Sequence, residues 1–239
     1  MISDHALVIV AFLAAFPVAW GVHHMVHLIP VWIEQSGVKS DAWTDVGATL
    51  TSHHTMPIPA QSSPPAFGWG ATVALSLGAL FAGSVVRWGL TMQGISAMLL
   101  ISMLVTLAWI DLRTGLLPDI LTKSGAAIGL ITHAWSGSVP LSSAVIGFFA
   151  GYFSLWLFFQ IYRLATHKDG MGFGDFKLFA MLGAWLGWES LAPILLVASL
   201  SAVAVAIMGM ATKRLTLQSS LPFGPYLVFG GILRLFECI

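Results

Sequence analysis

The sequence predicts an all-α fold, a polytopic membrane bundle of about eight transmembrane helices, and three observations carry that expectation. Of 239 residues, 57% are hydrophobic and only 8% are charged, which is more apolar surface than one water-soluble core can bury. The rare charges stand far apart: 23 uncharged residues separate Arg87 from Asp111, 39 separate Lys123 from Arg163, and 23 separate Glu189 from Lys213. A helix needs roughly 20 residues to cross hydrocarbon, so each gap holds at least one span. Glycine, proline and polar clusters then divide the apolar runs at intervals that suit helices.

Taken in order, the first apolar run, residues 6–22, has no basic n-region before it and no A-x-A cleavage site after it, so it reads as a retained span and not a signal peptide. Residues 38–68 form the longest polar segment, include Pro57, Pro59, Pro64 and Pro65, and follow neither a helical nor a strand period; they read as a loop. Spans over 69–90 and 92–110 follow, the second ending at Asp111. The 39-residue run splits at Gly137-Ser138-Val139-Pro140, where Gly and Pro break a helix, giving spans 120–136 and 141–162. The sixth segment, 175–188, has only 11 residues between Lys177 and Glu189 and crosses only if both side chains snorkel to the interfaces. Spans 191–211 and 219–236 complete the set. The chain thus divides into 1–68, one helix plus a polar loop, and 69–239, the embedded bundle.

The formal net charge is zero, which leaves no clustered basic surface for a nucleic-acid partner; the environment is the lipid bilayer. Cys238 is the only cysteine, so neither an internal disulfide nor a multi-thiolate metal site is available within one chain. Oligomeric state is left open by the sequence. The order of spans places Asp111 and Asp175 on one side of the membrane. Lys39, Arg113, Lys123, Arg163, Lys168, Lys177, Lys213 and Arg214 fall on that side, against Arg87 and Arg234 on the other. By the positive-inside rule the aspartate side is cytoplasmic.

Carboxylates at the rim of a membrane segment are costly enough to read as functional. Two that share a site cannot both ionise cheaply, so they hold one proton between them, the division of labour that hydrolysis by paired acids needs. That expectation brings the Asp111 and Asp175 side chains within about one water of each other. Asp111 ends its span, where the helix dipole disfavours an anion, so capping does not account for it; Arg113 is a candidate ion-pair partner. Asp175 and Asp119, the latter following Pro118, lie at helix N-termini, where a carboxylate also serves as a cap. Gly172 and Gly174 would let the backbone approach a substrate strand and take up positive φ. Lys177, two residues after Asp175, either tunes that carboxylate or anchors the helix at the interface.

Other features read as structural. His23, His24 and His27 have helical spacing, but no nearby Glu completes a zinc-peptidase motif, and His53-His54 is a weaker pair; no metal site is expected. Trp109, Trp135, Trp185 and Trp188 near span ends suit an interfacial aromatic belt. Gly147 and Gly151 form a GxxxG that predicts close helix packing inside the bundle.

Three motifs in order resemble the type IV prepilin peptidases, membrane aspartic proteases of the GxGD class. Asp111 to Asp119 is an Asp-x5-Leu-Pro-Asp segment followed by Leu121-Thr122, Gly170 to Lys177 reads G-M-G-F-G-D-F-K and continues to Trp188, and Leu221 to Pro225 reads L-P-F-G-P. The resemblance covers roughly residues 100–230 and implies that Asp111 and Asp175, 64 residues apart, are the catalytic pair, with Gly172 and Gly174 as motif glycines. It implies a leader peptidase acting on prepilins or pseudopilins at the cytoplasmic face of the bacterial inner membrane. Many members also methylate the new N-terminus with S-adenosylmethionine and carry two CxxC pairs in the loop after the first span. This chain has no cysteine there, and the passage Trp20 to Pro30 is only faintly similar to the family's. Methylation, and with it any cofactor, is therefore not expected.

The rival reading is a small secondary transporter or proton pathway built on intramembrane carboxylates and glycine-broken helices. Such a protein would hold its acids near the midplane between inverted repeats, whereas this sequence puts both at one interface and shows no repeat. A catalytically idle scaffold for pilus or secretion assembly would not need both aspartates.

Overall fold

The computed structural model describes residues 6–19, 21, 68–166, 172–213 and 221–238. Among them every regular element is helical: α1 (Ala6–Ala19), α2 (Gly68–Trp88), α3 (Met92–Thr114), α4 (Asp119–Ser136), α5 (Leu141–Thr166), α6 (Phe173–Leu186), a 3₁₀ turn (Trp188–Ser190), α7 (Leu191–Ala211) and α8 (Gly224–Cys238). The expected order therefore holds. Residues 38–67 of the polar segment and His23, His24, His27, His53 and His54 lie outside the described residues, while Gly68 already belongs to α2.

The helix ends follow from local chemistry. Gly89, Gly115 and Gly137 each take a left-handed φ of 63–65°, which glycine adopts without a Cβ penalty. Each also donates its N–H to a carbonyl of the last turn: Val85, Asp111 and His133 respectively. Thr91 opens α3 by accepting the Gly94 N–H at 3.3 Å on its hydroxyl. The third helix runs on to Thr114, beyond the expected end at 110, because nothing stops it before Gly115. Asp111 is thus inside its last turn. The last helix starts at Gly224 and not near 219, since Pro222 is followed by a bend at Phe223 before the chain coils.

Three elements, Met92–Thr114, Leu141–Thr166 and Trp188–Ala211, are long and apolar enough to cross a membrane; α1 and the apolar part of α2 are shorter. The first of these lends Leu100, Ile101, Leu104, Leu107 and Ile110 to the core. By contrast α7 buries only Leu191, Ile194 and Ala198, and turns Leu196, Leu200, Val203 and Ile207 outward, the surface that a bilayer covers.

At 14 residues, α6 is about 21 Å long, short of the roughly 30 Å hydrocarbon thickness. It is nevertheless the core of the bundle, buried from Phe176 through Leu186 except for Lys177, so most of its length meets protein. Glycines bring α5 against it. A Cβ on Gly147 would overlap the Gly183 carbonyl oxygen, one on Gly183 would overlap that of Gly147, and one on Gly151 would stand 2.7 Å from the Phe179 oxygen. The GxxxG therefore serves packing within the bundle, as expected.

Trp185 departs from the interfacial belt. It is 3% exposed, donates its indole N–H to the Gly125 carbonyl of α4 at 2.8 Å, and a Cβ on Gly129 would stand 2.7 Å from its ring. A glycine-lined groove on α4 accepts the ring, so it turns inward. Beside it the buried His133 Nε2 lies 2.7 Å from the Trp185 carbonyl oxygen. Trp135 is exposed, as an interfacial aromatic should be.

Candidate active site

Two stretches of chain meet at one end of the bundle. The first is the end of α3 with the connection to α4, residues 111–119; the second is the start of α6, residues 172–177. Leu117 lies on Gly174 so closely that a Cβ there would stand 2.7 Å from the Leu117 Cβ. This contact sets the last turn of α3 beside the first turn of α6.

Asp111 is 5% exposed and Asp175 is 6% exposed, and the two carboxyls are within electrostatic reach of each other. Asp111 Oδ2 accepts the backbone N–H of Gly224 at 3.0 Å, from a residue 113 positions away that opens α8. The same glycine is required by the approach, because a Cβ on it would stand 2.5 Å from Asp111 Oδ2. Residues 221–225 stood out only as a motif; the Pro-Phe-Gly-Pro order at a helix start, where backbone N–H groups are free, is the signal for this donor. Arg113 does not pair with Asp111: its guanidinium lies 5.4 Å from the Trp109 ring centroid.

Several expectations for the neighbouring residues are corrected. Gly172 is extended, with φ −75° and ψ 140°, and Gly174 is helical, so neither takes positive φ. Gly174 is needed because Leu117 occupies its side-chain position, whereas a Cβ on Gly172 would only touch Asp175 Oδ2 at 3.7 Å. Gly172 and Pro118 hold the N-cap positions of α6 and α4; Asp119 does not cap α4, whereas Asp175, in the first turn of α6, accepts the backbone N–H of Gly172 and so does serve that helix start. The Asp119 carboxylate instead bonds Lys123 at 3.0 Å and pairs with Lys177. Lys177 thus points to Asp119 on α4 and is neither a partner of Asp175 nor a free anchor. Pro118, at φ −63°, opens α4 and offers its carbonyl to Leu121 and Thr122.

An aromatic group surrounds the α6 start. Phe173, Phe176 and Phe159 of α5 lie with ring centroids 5.5–5.7 Å apart, a spacing that favours edge-to-face contact. Phe173 remains largely exposed beside the two acids.

Residues 98–207 match the model of the type IV leader peptidase family. The chain is 39% identical over 164 residues to a prepilin leader peptidase/N-methyltransferase of Burkholderia pseudomallei, covering 69% of this chain and 53% of the relative. The chain belongs to the type IV leader peptidase family. It is likewise 42% identical over 156 residues to the prepilin leader peptidase/N-methyltransferase of Dickeya chrysanthemi, covering 65% and 54% of the two chains. The Aeromonas salmonicida protein of the same description is 47% identical over 142 residues, 59% of this chain and 48% of the relative. The chain thus spans about half the length of these leader peptidases. The family match takes in both candidate aspartates, while Gly224, which donates to Asp111, lies beyond its end. No solved structure matches the chain.

Proposed function

We propose that the chain is a membrane aspartic endopeptidase that removes the leader from type IV prepilins or pseudopilins, with Asp111 and Asp175 as its catalytic pair. The observation that carries this reading is the convergence of these two buried carboxyls at one end of the bundle, where Leu117 packs on Gly174, with a backbone N–H on each: Gly224 on Asp111 and Gly172 on Asp175. Membership in the leader peptidase family supports the substrate class.

In the reaction, one carboxylate takes a proton from water as it attacks the scissile carbonyl, while the other, protonated, donates to the carbonyl oxygen. On collapse of the tetrahedral adduct the C–N bond breaks as the carboxyl that took the water proton gives it to the leaving amine and the other carboxylate takes the proton of an adduct hydroxyl, so the pair again holds one proton. The Gly224 N–H holds Asp111 in one orientation, and burial keeps bulk water from competing for the proton. Family resemblance together with the basic residues on the aspartate side supports a cytoplasmic-facing site in the bacterial inner membrane. Residues 69–239 would form the peptidase bundle and 1–68 a leading helix and loop. Without thiolate ligands in that loop, cleavage proceeds here without methylation or S-adenosylmethionine.

The test is to co-express the chain with prepilins and read their N-termini by mass spectrometry. Cleaved, unmethylated pilin is expected from the parent, and uncleaved precursor from Asp111→Asn and from Asp175→Asn at unchanged protein level. Normal processing by both variants would remove the assignment, and a methylated product would remove the second part alone.

A further inference from the structure

The two aspartate-bearing stretches belong to different helices, and one ion pair joins them directly. Asp119 lies eight residues after Asp111 and Lys177 two residues after Asp175, and their side chains meet across the gap between α4 and α6. Asp119 is available for this because Pro118, not Asp119, occupies the N-cap position. Its second partner, Lys123, is on α4 itself, at i+4, and bridges nothing. The side chains of Asp119 and Lys177 are 47% and 27% exposed. A pair so accessible to solvent does little for the stability of a fold, and this fold already has the glycine-packed α5–α6 interface.

Its geometry has a different consequence. Leu117 resting on Gly174 sets how close the two stretches come, but an apolar contact resists sliding only weakly, and the α3–α4 connection has just four residues, 115–118. The Asp119–Lys177 pair adds a directional tie at the far end of that connection. Taking the proposed peptidase reading as its basis, we infer that Asp119 and Lys177 are positioning residues that fix the register of Asp111 against Asp175. They act through the two aspartates and touch no substrate. Small errors of registration between reacting groups cost rate far more than they cost folding, so the pair matters to turnover and not to assembly.

The experiment is a double-mutant cycle on the full chain in detergent or proteoliposomes, with a prepilin as substrate and both leader cleavage and thermal unfolding recorded. Asp119→Asn and Lys177→Met each lower kcat by about tenfold, with KM and the unfolding midpoint close to those of the parent. The double variant falls by about the same factor as either single one, because both remove the same tie. Lys177→Arg keeps most of the rate, since a guanidinium reaches the same carboxylate, and Lys123→Met keeps it as well. Losses that multiply in the double variant, a fall in unfolding midpoint that tracks the fall in rate, or single variants as fast as the parent would each overturn the inference. A parent chain that leaves the precursor uncleaved overturns the peptidase reading itself, a result distinct from any of these.

Discussion

Gly183 and Gly224 are both held where a methyl group would collide, yet what comes close differs, and so does the expected consequence. At Gly183 the neighbour is the backbone of α5 at Gly147. Neither helix can yield without losing its own packing, so this contact is part of the fold. At Gly224 the neighbour is the end of the Asp111 side chain, which can rotate away at small cost to the bundle but not to the chemistry proposed for it. One glycine therefore maintains architecture and the other maintains an orientation.

Substitutions separate the two kinds of contact. The largest effect is expected at the acids themselves: Asp111→Asn or Asp175→Asn lowers leader cleavage by roughly a hundred- to ten-thousandfold in an in vitro assay, with an unfolding curve like the parent's. Next, Gly183→Val drives a branched side chain into the α5 backbone and destabilises the bundle by about 3 kcal/mol. Thermal unfolding in detergent would register it, with activity lost together with the fold; a stable, active variant would mean that α5 and α6 have more room than the structure gives them. Gly224→Ala tests the other side of the comparison, with a fall of about tenfold in kcat and a nearly unchanged unfolding midpoint. Equal damage to fold and rate there would erase the distinction. A smaller effect is expected from Trp185→Phe, which leaves the Gly125 carbonyl without its donor and costs about 1–3 kcal/mol while cleavage at low temperature persists. Least of all, Ser143→Ala removes a 2.6 Å bond to Glu189 at the opposite end from the aspartates, and both unfolding and cleavage should match the parent.

Much of this was legible before any coordinates. The helices that follow the 38–68 segment fall where uncharged runs and Gly-Pro breaks put them, because the cost of charge in hydrocarbon acts on each stretch of chain by itself. Asp111 and Asp175 were readable for the same reason, as rare acids at the edges of apolar runs. What failed depended on neighbours distant in sequence. Trp185 had the position of an interfacial residue, but glycines at 125 and 129 on another helix make a place for it inside. Lys177 was read against its neighbour in sequence, Asp175, and found its partner in Asp119, 58 residues away. The two motif glycines were assigned a conformational role, whereas only Gly174 has a demonstrable need, and that need is space for Leu117.

By itself, the sequence determined that this protein is helical, that it belongs in lipid, and that its two exceptional acids, one closing a helix and one opening another, lie at the same end of the bundle, since each of these depends on counting residues along a run. Which groups meet was decided only in three dimensions. The rotation of each helix about its axis, set by where glycines let backbones touch, chose Gly224 for Asp111 and Lys177 for Asp119, and no local property of the chain encodes that choice.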